Sequence, residues 1–166
     1  MTTIEITVLG TPAPQGSKRG FAIKAKGKYT GKVAQVESSA KVKPWRMAVK
    51  YAAMDARAAY HQQVPMTSAV ALEVIFRLPR PKGHFGTGRN SGLLKPSAPW
   101  YPAGRPDLDK LLRSTFDALG EAGVWGDDAQ VVTVAASKDY ANDYEPIGAT
   151  IRIESRANVA TRWVAA

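Results

Sequence analysis

Four aspartates lie at the two ends of one predicted helix, and carboxylates are residues that can hold a divalent cation. Asp107 and Asp109 come at the start of this helix, and Asp127 and Asp128 follow its end. Metal-dependent hydrolysis needs several carboxylates near one point, held on rigid elements. The helix separates its ends by roughly 20 Å at ~1.5 Å per residue. The sequence therefore predicts a metal site only if the chain folds back or the carboxylates meet across an interface.

The composition narrows the chemistry further. The chain of 166 residues has no cysteine, which excludes disulfides, thiolate metal sites and thiol nucleophiles. His61 and His84 are its two histidines, so carboxylates are the natural metal ligands and hard cations such as Mg²⁺ or Mn²⁺ are favoured over zinc. The sequence has neither a membrane-spanning apolar run nor the pattern of a signal peptide. We expect a soluble protein of the cytoplasm with no membrane partner and no small-molecule cofactor.

The charge distribution indicates a polyanionic partner. The net charge is +9, and residues 1–100 carry 16 Lys/Arg against 4 Asp/Glu, whereas residues 101–166 carry 7 against 10. Such asymmetry is typical of proteins that bind nucleic acid, although a merely soluble basic protein remains an alternative. A basic surface with an acidic centre is what a metal-dependent enzyme acting on nucleic acid needs.

Periodicity predicts a single α+β domain over residues 1–166. Alternation predicts strands at Ile4–Leu9, Val70–Leu78, Val131–Ala135 and Ile147–Glu154, and helical spacing predicts helices from Pro44 to about His61 and from about Leu108 to Ala122. Residues 17–32 have the spacing of a basic β-hairpin with turns near Gly27 or Gly31, and Val33–Val36 could be a further short strand. Strands with two separated helices predict a mixed, partly antiparallel sheet packed against those helices.

A long segment, residues 79–104, shows almost no periodicity. It contains five prolines, five glycines and the basic residues Arg80 and Lys82, with Phe85, Trp100 and Tyr101 at intervals. A loop of this length in a compact domain is usually functional or disordered. Its aromatic residues could stack on DNA, but they are more simply loop anchors or dimer contacts.

Each aspartate also has a structural explanation. Asp107 can cap the helix and Asp109 falls in its first turn, where the helix dipole favours a negative charge. Arg113 lies four residues after Asp109 and four before Asp117, which predicts a ladder of ion pairs along the helix. No single aspartate therefore establishes a metal site, and the combination carries the hypothesis.

The stretch with the four aspartates resembles the signature of the RusA family of Holliday-junction resolvases, which occur in phages and prophages. The 26 residues from Asp107 to Val132 read DLDKLLRSTFDALGEAGVWGDDAQVV. They contain an Asp-x-Asp, a helical Phe-Asp-Ala-Leu, a glycine, an aromatic residue and Asp-Asp-Ala-Gln-Val in the order and spacing of that family. Outside this stretch the resemblance is thin, with an early strand, the turn PAPQGSKR and the closing strands in the expected order.

The resemblance implies a RusA-like fold and a homodimeric endonuclease that cuts branched DNA with Mg²⁺ or Mn²⁺. By position, Asp107, Asp109 and Asp128 match its essential aspartates, and Asp127 is an adjacent acid of less certain role. The family has a lysine one helical turn after the second aspartate, where this chain has Arg113. Arginine can neutralise phosphate charge but cannot exchange a proton near neutral pH. Lys110 stands where an asparagine is common in the family, and it could partly replace the missing lysine.

The expected function is metal-assisted resolution of four-way junctions in DNA recombination and repair, in the cytoplasm of a bacterial host. DNA contacts are expected from one set of cations: Lys18, Arg19, Lys24, Lys26, Lys28, Arg80, Lys82 and Lys110. Two alternatives stay open. A nuclease specific for forks, flaps or RNA would differ in substrate preference, and a non-catalytic DNA-binding protein would bind without Mg²⁺ and never cut.

Overall fold

A four-stranded mixed sheet with two helices on one face forms the core of the protein. The computed structural model describes residues 2–16, 19–36, 40–61 and 65–156. Its strands and helices, in chain order, are β1 (Thr3–Leu9), β2 (Arg19–Ala25), β3 (Lys28–Val36), α1 (Val42–Ala59), β4 (Ala69–Leu78), α2 (Leu108–Glu121), β5 (Val131–Tyr140) and β6 (Gly148–Arg156). The predicted mixed-sheet α+β architecture is confirmed.

The sheet has the strand order β1-β6-β4-β5. β6 pairs antiparallel with both β1 and β4, whereas β4 and β5 run parallel. Parallel neighbours need a crossover connection, and here the crossover carries α2. Alternation along the strands buries one face: Ile6 and Val74 both pair with Ile151, and all three are at most 2% exposed. The alternation predicted for the closing strand is confirmed by buried Ala149, Ile151 and Ile153.

The two helices cover this buried face. α1 contributes Val42, Trp45, Val49 and Ala53 to the core, and α2 contributes Leu111, Ala118 and Leu119. The ring centroids of Trp45 and Phe76 on β4 lie 6.4 Å apart, which joins α1 to the sheet. Among the described helices, none is long and apolar enough to cross a membrane.

The predicted ladder Asp109–Arg113–Asp117 is wrong. Asp117 instead forms an ion pair with Arg46 on α1, with 3.3 Å between Oδ2 and Nη1, and the same guanidinium binds Glu121. Asp109 pairs with its neighbour Lys110. The ion pair between the two helices therefore forms in place of the pair expected within α2, because this side of α2 faces a cation from α1.

The basic hairpin is confirmed as β2 and β3, which pair only with each other among the described residues. Its turn lies at Lys26–Gly27, where Gly27 has a φ of +80°. The predicted short strand Val33–Val36 is the second half of β3 rather than a separate element. Residues 157–166, the unpatterned tail of the sequence, lie outside the described part of the chain.

The long segment after β4 has an ordered course. It contains two short 3-10 helices, Lys82–His84 and Gly88–Asn90, and backbone hydrogen bonds join Gly86 to Leu93 and Lys95 to His84, each at 2.9 Å. Gly86 is needed here because a Cβ atom at this position would lie 2.5 Å from the Asn90 carbonyl oxygen. The segment ends at the start of α2.

Candidate active site

The start of α2 presents two acidic side chains to solvent. Asp107 occupies the N-cap position with an extended backbone, as predicted, but its side chain makes no capping hydrogen bond. Asp109 lies in the first turn with a side chain that is 69% exposed. Both side chains are exposed, so an external ligand can reach them.

Lys110 neutralises Asp109 locally. Its Nζ atom lies 2.8 Å from Oδ2 of Asp109. This hydrogen bond, together with the charge of the ammonium group, lowers the pKa of Asp109 below its ordinary value of 3.8. The Asp109 carboxylate is therefore ionised at neutral pH, which is the form that binds a cation.

The segment before Asp107 is held by a lysine of β5. The Nζ atom of Lys138 donates to the carbonyl oxygens of Gly104, at 2.8 Å, and Pro106, at 2.9 Å. On the other side, the Ser114 hydroxyl donates to the Ala13 carbonyl at 2.8 Å and thereby fixes the Pro-rich turn against α2. The position of Asp107 thus depends on contacts with two distant parts of the chain.

The turn after α2 holds Asp128 in a defined position. The indole Nε1 of Trp125 donates to Oδ1 of Asp128 at 2.8 Å. Trp125 is 2% exposed and its ring packs at 5.7 Å, edge to face, on Phe116 of α2. A buried and packed donor restricts the rotamers of the carboxylate that it binds. Asp128 is therefore an exposed acid on a rigid support.

Asp127 has a structural role in the same turn. Its Oδ1 accepts from the Ala129 backbone N–H at 2.7 Å, and the Gln130 side chain accepts from the Asp127 N–H at 3.0 Å, which completes a capping box. The Gln130 amide also donates to the Met66 and Ser68 carbonyls, at 2.8 and 3.1 Å. This turn is consequently tied to the start of β4.

The structure keeps the two acidic ends apart within one chain. A Cβ atom added to Gly120 would lie 3.7 Å from Oδ1 of Asp128, which places Asp128 beside the last turn of α2. Gly120 follows Asp107 by 13 residues, so the helix separates the two acids by about 20 Å at ~1.5 Å per residue. Within the described ranges, no group of three or more Asp, Glu, His or Cys residues could hold a metal ion. Within a single chain, the fold therefore does not bring the aspartates of the two ends together.

β5 connects the same two regions as α2, in the opposite direction. Its first residue, Val131, follows the Asp128 turn, and Lys138 near its other end contacts the segment before Asp107. β5 is an edge strand, and in the described part of the chain it pairs with β4 alone. Val132 and Val134 are 63% and 44% exposed. Unpaired edges with apolar side chains are typical sites of strand pairing with another chain.

The predicted DNA-contacting cations have different surroundings. Lys24, Lys26, Lys28 and Lys82 are exposed, and the ammonium of Lys24 lies 4.6 Å above the Tyr29 ring. The Arg80 guanidinium already has partners within the protein: it stacks 4.0 Å from the centroid of the Tyr140 ring and donates to the Pro99 carbonyl. Lys18 lies outside the described residues, and of Arg19 only the backbone, at the start of β2, is described. Arg113 is exposed one helical turn beyond Asp109.

Two residues of this region escape sequence reasoning. Trp125 fits core packing, as expected, but its hydrogen bond to Asp128 depends on a side-chain orientation that spacing does not reveal. Lys138 is a single lysine in a strand, and its contact with Gly104 spans 34 residues. The position of Gln130 next to the paired aspartates was the one local signal of a capping box.

Comparison with known proteins identifies one family. The family model described as endodeoxyribonuclease RusA matches residues 12–154, which include both acidic ends of α2, β5 and the whole loop after β4. A search among curated proteins found no match. The match extends far beyond the 26 residues that carry the resemblance in sequence.

Proposed function

Because the chain belongs to the RusA family of endodeoxyribonucleases, we propose that it is a metal-dependent resolvase that cuts opposing strands of four-way DNA junctions. The observation that carries this proposal is the pair of acidic ends of α2, exposed at one end and firmly supported at the other, on a chain of net charge +9. Such an enzyme would serve DNA recombination and repair in the cytoplasm of a bacterial host, with a phage or prophage origin.

The proposed metal ligands are Asp107, Asp109 and Asp128. An all-carboxylate donor set suits Mg²⁺, with Mn²⁺ as a substitute. When bound, the ion would supply an activated water and neutralise charge on the phosphate. Asp127 contributes less in this scheme, because its carboxylate already accepts the backbone N–H of Ala129. Arg113 is exposed one turn after Asp109, where its guanidinium would neutralise a non-bridging phosphate oxygen.

A homodimer would bring the two kinds of acid together. We propose that two β5 strands pair antiparallel across a two-fold axis, which makes the same surface serve both chains. Antiparallel pairing places the start of one strand beside the end of the other. The Asp128 turn of one protomer would then adjoin the Asp107–Asp109 end of its partner. Two equivalent sites result, which suits a reaction that cuts two strands.

The hairpin cations would hold the DNA backbone around these sites. Lys24, Lys26 and Lys28 project from β2–β3 with exposed side chains, and their contribution would be electrostatic and strongly dependent on salt. Lys82 would add to this surface. We expect less from Arg80 and Lys110, because the first is stacked on Tyr140 and the second is paired with Asp109.

Cleavage of a labelled four-way junction, with linear duplex, fork and RNA controls, tests this function. We expect symmetric nicks on opposing strands in Mg²⁺, lost when Asp109→Asn removes one ligand. Preferred cutting of forks or RNA would keep the chemistry and change the substrate. Tight junction binding without cutting in Mg²⁺ or Mn²⁺ would identify a non-catalytic DNA-binding protein instead.

Mixing two inactive variants tests the shared site. In a mixed dimer of Asp109→Asn and Asp128→Asn chains, both substitutions fall in one shared site and leave the other intact. We expect single-strand nicking to return in this mixture. A mixture of Asp107→Asn and Asp109→Asn is the matched control, since each shared site then carries one substitution and stays inactive. A first mixture as inactive as the control, although co-purification shows mixed dimers, would rule out this arrangement.

A further inference from the structure

A cavity of about 530 Å³ lies beside the Asp107 end of α2. It is bounded by the Pro-rich turn after β1, the end of β4 and the returning part of the long loop. Its volume falls in the range of ~300–1,000 Å³ that is typical of small-ligand sites. The residues that matter for its chemistry are Pro12, Pro81, His84, Pro99, Tyr101 and Tyr140. We infer that this cavity accepts one unstacked nucleobase of the DNA substrate, next to the strand that is cut, an inference that rests on the function proposed above.

The cavity is continuous with the candidate active site. Gly104, Arg105 and Pro106 line it and lead directly into Asp107. Lys138 fixes the carbonyls of Gly104 and Pro106, so the wall of the cavity and the position of Asp107 share one anchor. A strand with a phosphate at Asp107 therefore has a neighbouring nucleotide at the mouth of the cavity.

The lining suits the flat, apolar faces of a base. Proline and tyrosine rings supply these contacts. The Tyr140 ring contacts the Arg80 guanidinium, 4.0 Å from its centroid, and the His84 ring, with centroids 5.6 Å apart. Stacking of bases on aromatic side chains is a general means of binding unpaired nucleotides. Tyr101 is 70% exposed and offers a ring at the mouth that packing does not use.

Charge and polarity favour a nucleotide over an apolar ligand. Lys41 and Arg105 are exposed cations of the lining, and none of the described lining residues is acidic. The His84 ring adds a further flat surface to the lining, packed edge-on against Tyr140. An anionic ligand with a flat ring matches this combination.

A double-mutant cycle between protein and DNA tests the inference. Junctions would carry a single abasic site at each nucleotide on either side of the cut, and affinity would be measured with Asp109→Asn protein, which is expected not to cut. In the intact junction, Tyr101→Ala should weaken binding about tenfold, from the loss of one stacked base. In the junction that lacks the base bound by the cavity, Tyr101→Ala should cause no further loss of affinity. Trp100→Ala is the matched control, because Trp100 is 86% exposed and lies outside this cavity.

The outcome separates this inference from the proposed function. If wild-type protein cuts junctions but Tyr101→Ala weakens all abasic substrates equally, or no more than Trp100→Ala does, the cavity holds no base. If wild-type protein neither cuts nor prefers junctions, the proposed function itself fails and the inference falls with it. Ala103→Trp, which fills the cavity from its exposed rim, should cause the same loss of affinity at the same nucleotide position. This second variant keeps the test valid if Tyr101→Ala impairs folding.

Discussion

The two ends of α2 carry the same type of residue in opposite settings. At the start, the side chains of Asp107 and Asp109 are exposed, Asp107 makes no capping hydrogen bond, and a neighbouring lysine pairs with Asp109. At the end, Asp128 is bound by the indole of a buried tryptophan, and Asp127 is bound into a capping box. One end therefore has acids held only by exposed neighbours, whereas the other has an acid held by a buried side chain.

This difference has a consequence for a site made from both ends. Preorganisation lowers the cost of assembling a constellation of ligands, and it requires a supporting shell of packed residues. The Asp128 turn supplies that shell through Trp125, which belongs to the core, and Phe116, which is partly buried and packs against the core. We expect Asp128 to define the location of the metal ion, and the exposed pair to complete its coordination when chains and DNA assemble.

The largest expected effect separates Asp128 from its neighbour Asp127. Asp128→Asn should lower junction cleavage by at least about 100-fold, or ~2.7 kcal/mol of transition-state stabilisation, because it removes the charge of a proposed metal ligand. Binding should be kept or improved, since a negative charge near phosphate is lost. Asp127→Asn keeps a side-chain acceptor for the Ala129 N–H and should cut within a few-fold of wild type. Equal losses in both variants, measured by single-turnover cleavage, would contradict the division of roles.

Removing the support of Asp128 should have a smaller effect. Trp125→Phe deletes the indole N–H and keeps a ring against Phe116. A hydrogen bond to a charged group contributes roughly 1.5–3 kcal/mol, so we expect cleavage to fall about tenfold. Trp45→Phe is the matched control, because Trp45 is equally buried and its indole donates to the Thr115 hydroxyl at 3.4 Å. That variant should lose stability in thermal unfolding and keep its activity; a similar loss of cleavage in both would mean that only stability matters.

The anchor of the opposite end gives the next test. Lys138→Met removes both hydrogen bonds to the carbonyls before Asp107 and keeps most of the aliphatic stem. Each lost hydrogen bond from the charged lysine contributes roughly 1.5–3 kcal/mol. We expect a several-fold loss of cleavage, because Asp107 is then held less firmly. Lys95→Met is the control, since Lys95 donates to a loop carbonyl, that of Gly83, at 2.8 Å. If the Lys95 variant loses as much cleavage as the Lys138 variant, loss of positive charge explains both.

Sequence periodicity predicted the strands and helices that bury one face. It missed the segments that are held mainly by backbone hydrogen bonds. β5 was expected to end at Ala135, but it continues to Tyr140 because its second half pairs with the backbone of β4. This half was missed because it carries the polar sequence Ser137–Asp139. An edge strand with little burial leaves no alternation to read. The course of residues 79–104 rests on turns and backbone hydrogen bonds, which composition alone does not encode.

The separation of the candidate site residues along the helix was predictable from the sequence, but their contacts were not. The aspartates and their approximate separation follow from the sequence, since a helix has a fixed rise per residue. The partners do not: Asp117 meets Arg46, 71 positions away in the chain, rather than Arg113, four positions away. Lys138 likewise reaches Gly104 only because β5 and α2 lie side by side. Contacts that depend on how elements pack lie beyond spacing rules.

The smallest expected effect concerns the ion pair at the exposed end. Lys110→Ala removes the hydrogen bond and the charge that lower the pKa of Asp109, so that pKa should rise toward its ordinary value of 3.8, as followed by NMR titration of the carboxyl carbon. Because a lowered pKa stabilises the folded state above the usual value, the difference in unfolding free energy between wild type and variant should shrink as the pH falls below about 3.8. Asp109 stays ionised in both proteins at neutral pH, so cleavage should change less than in the Asp128, Trp125 and Lys138 variants. Arg113→Ala is the matched control, because Arg113 does not contribute to the pKa of Asp109; an unchanged pKa in the Lys110 variant would show that the exposed acid is free of its neighbour.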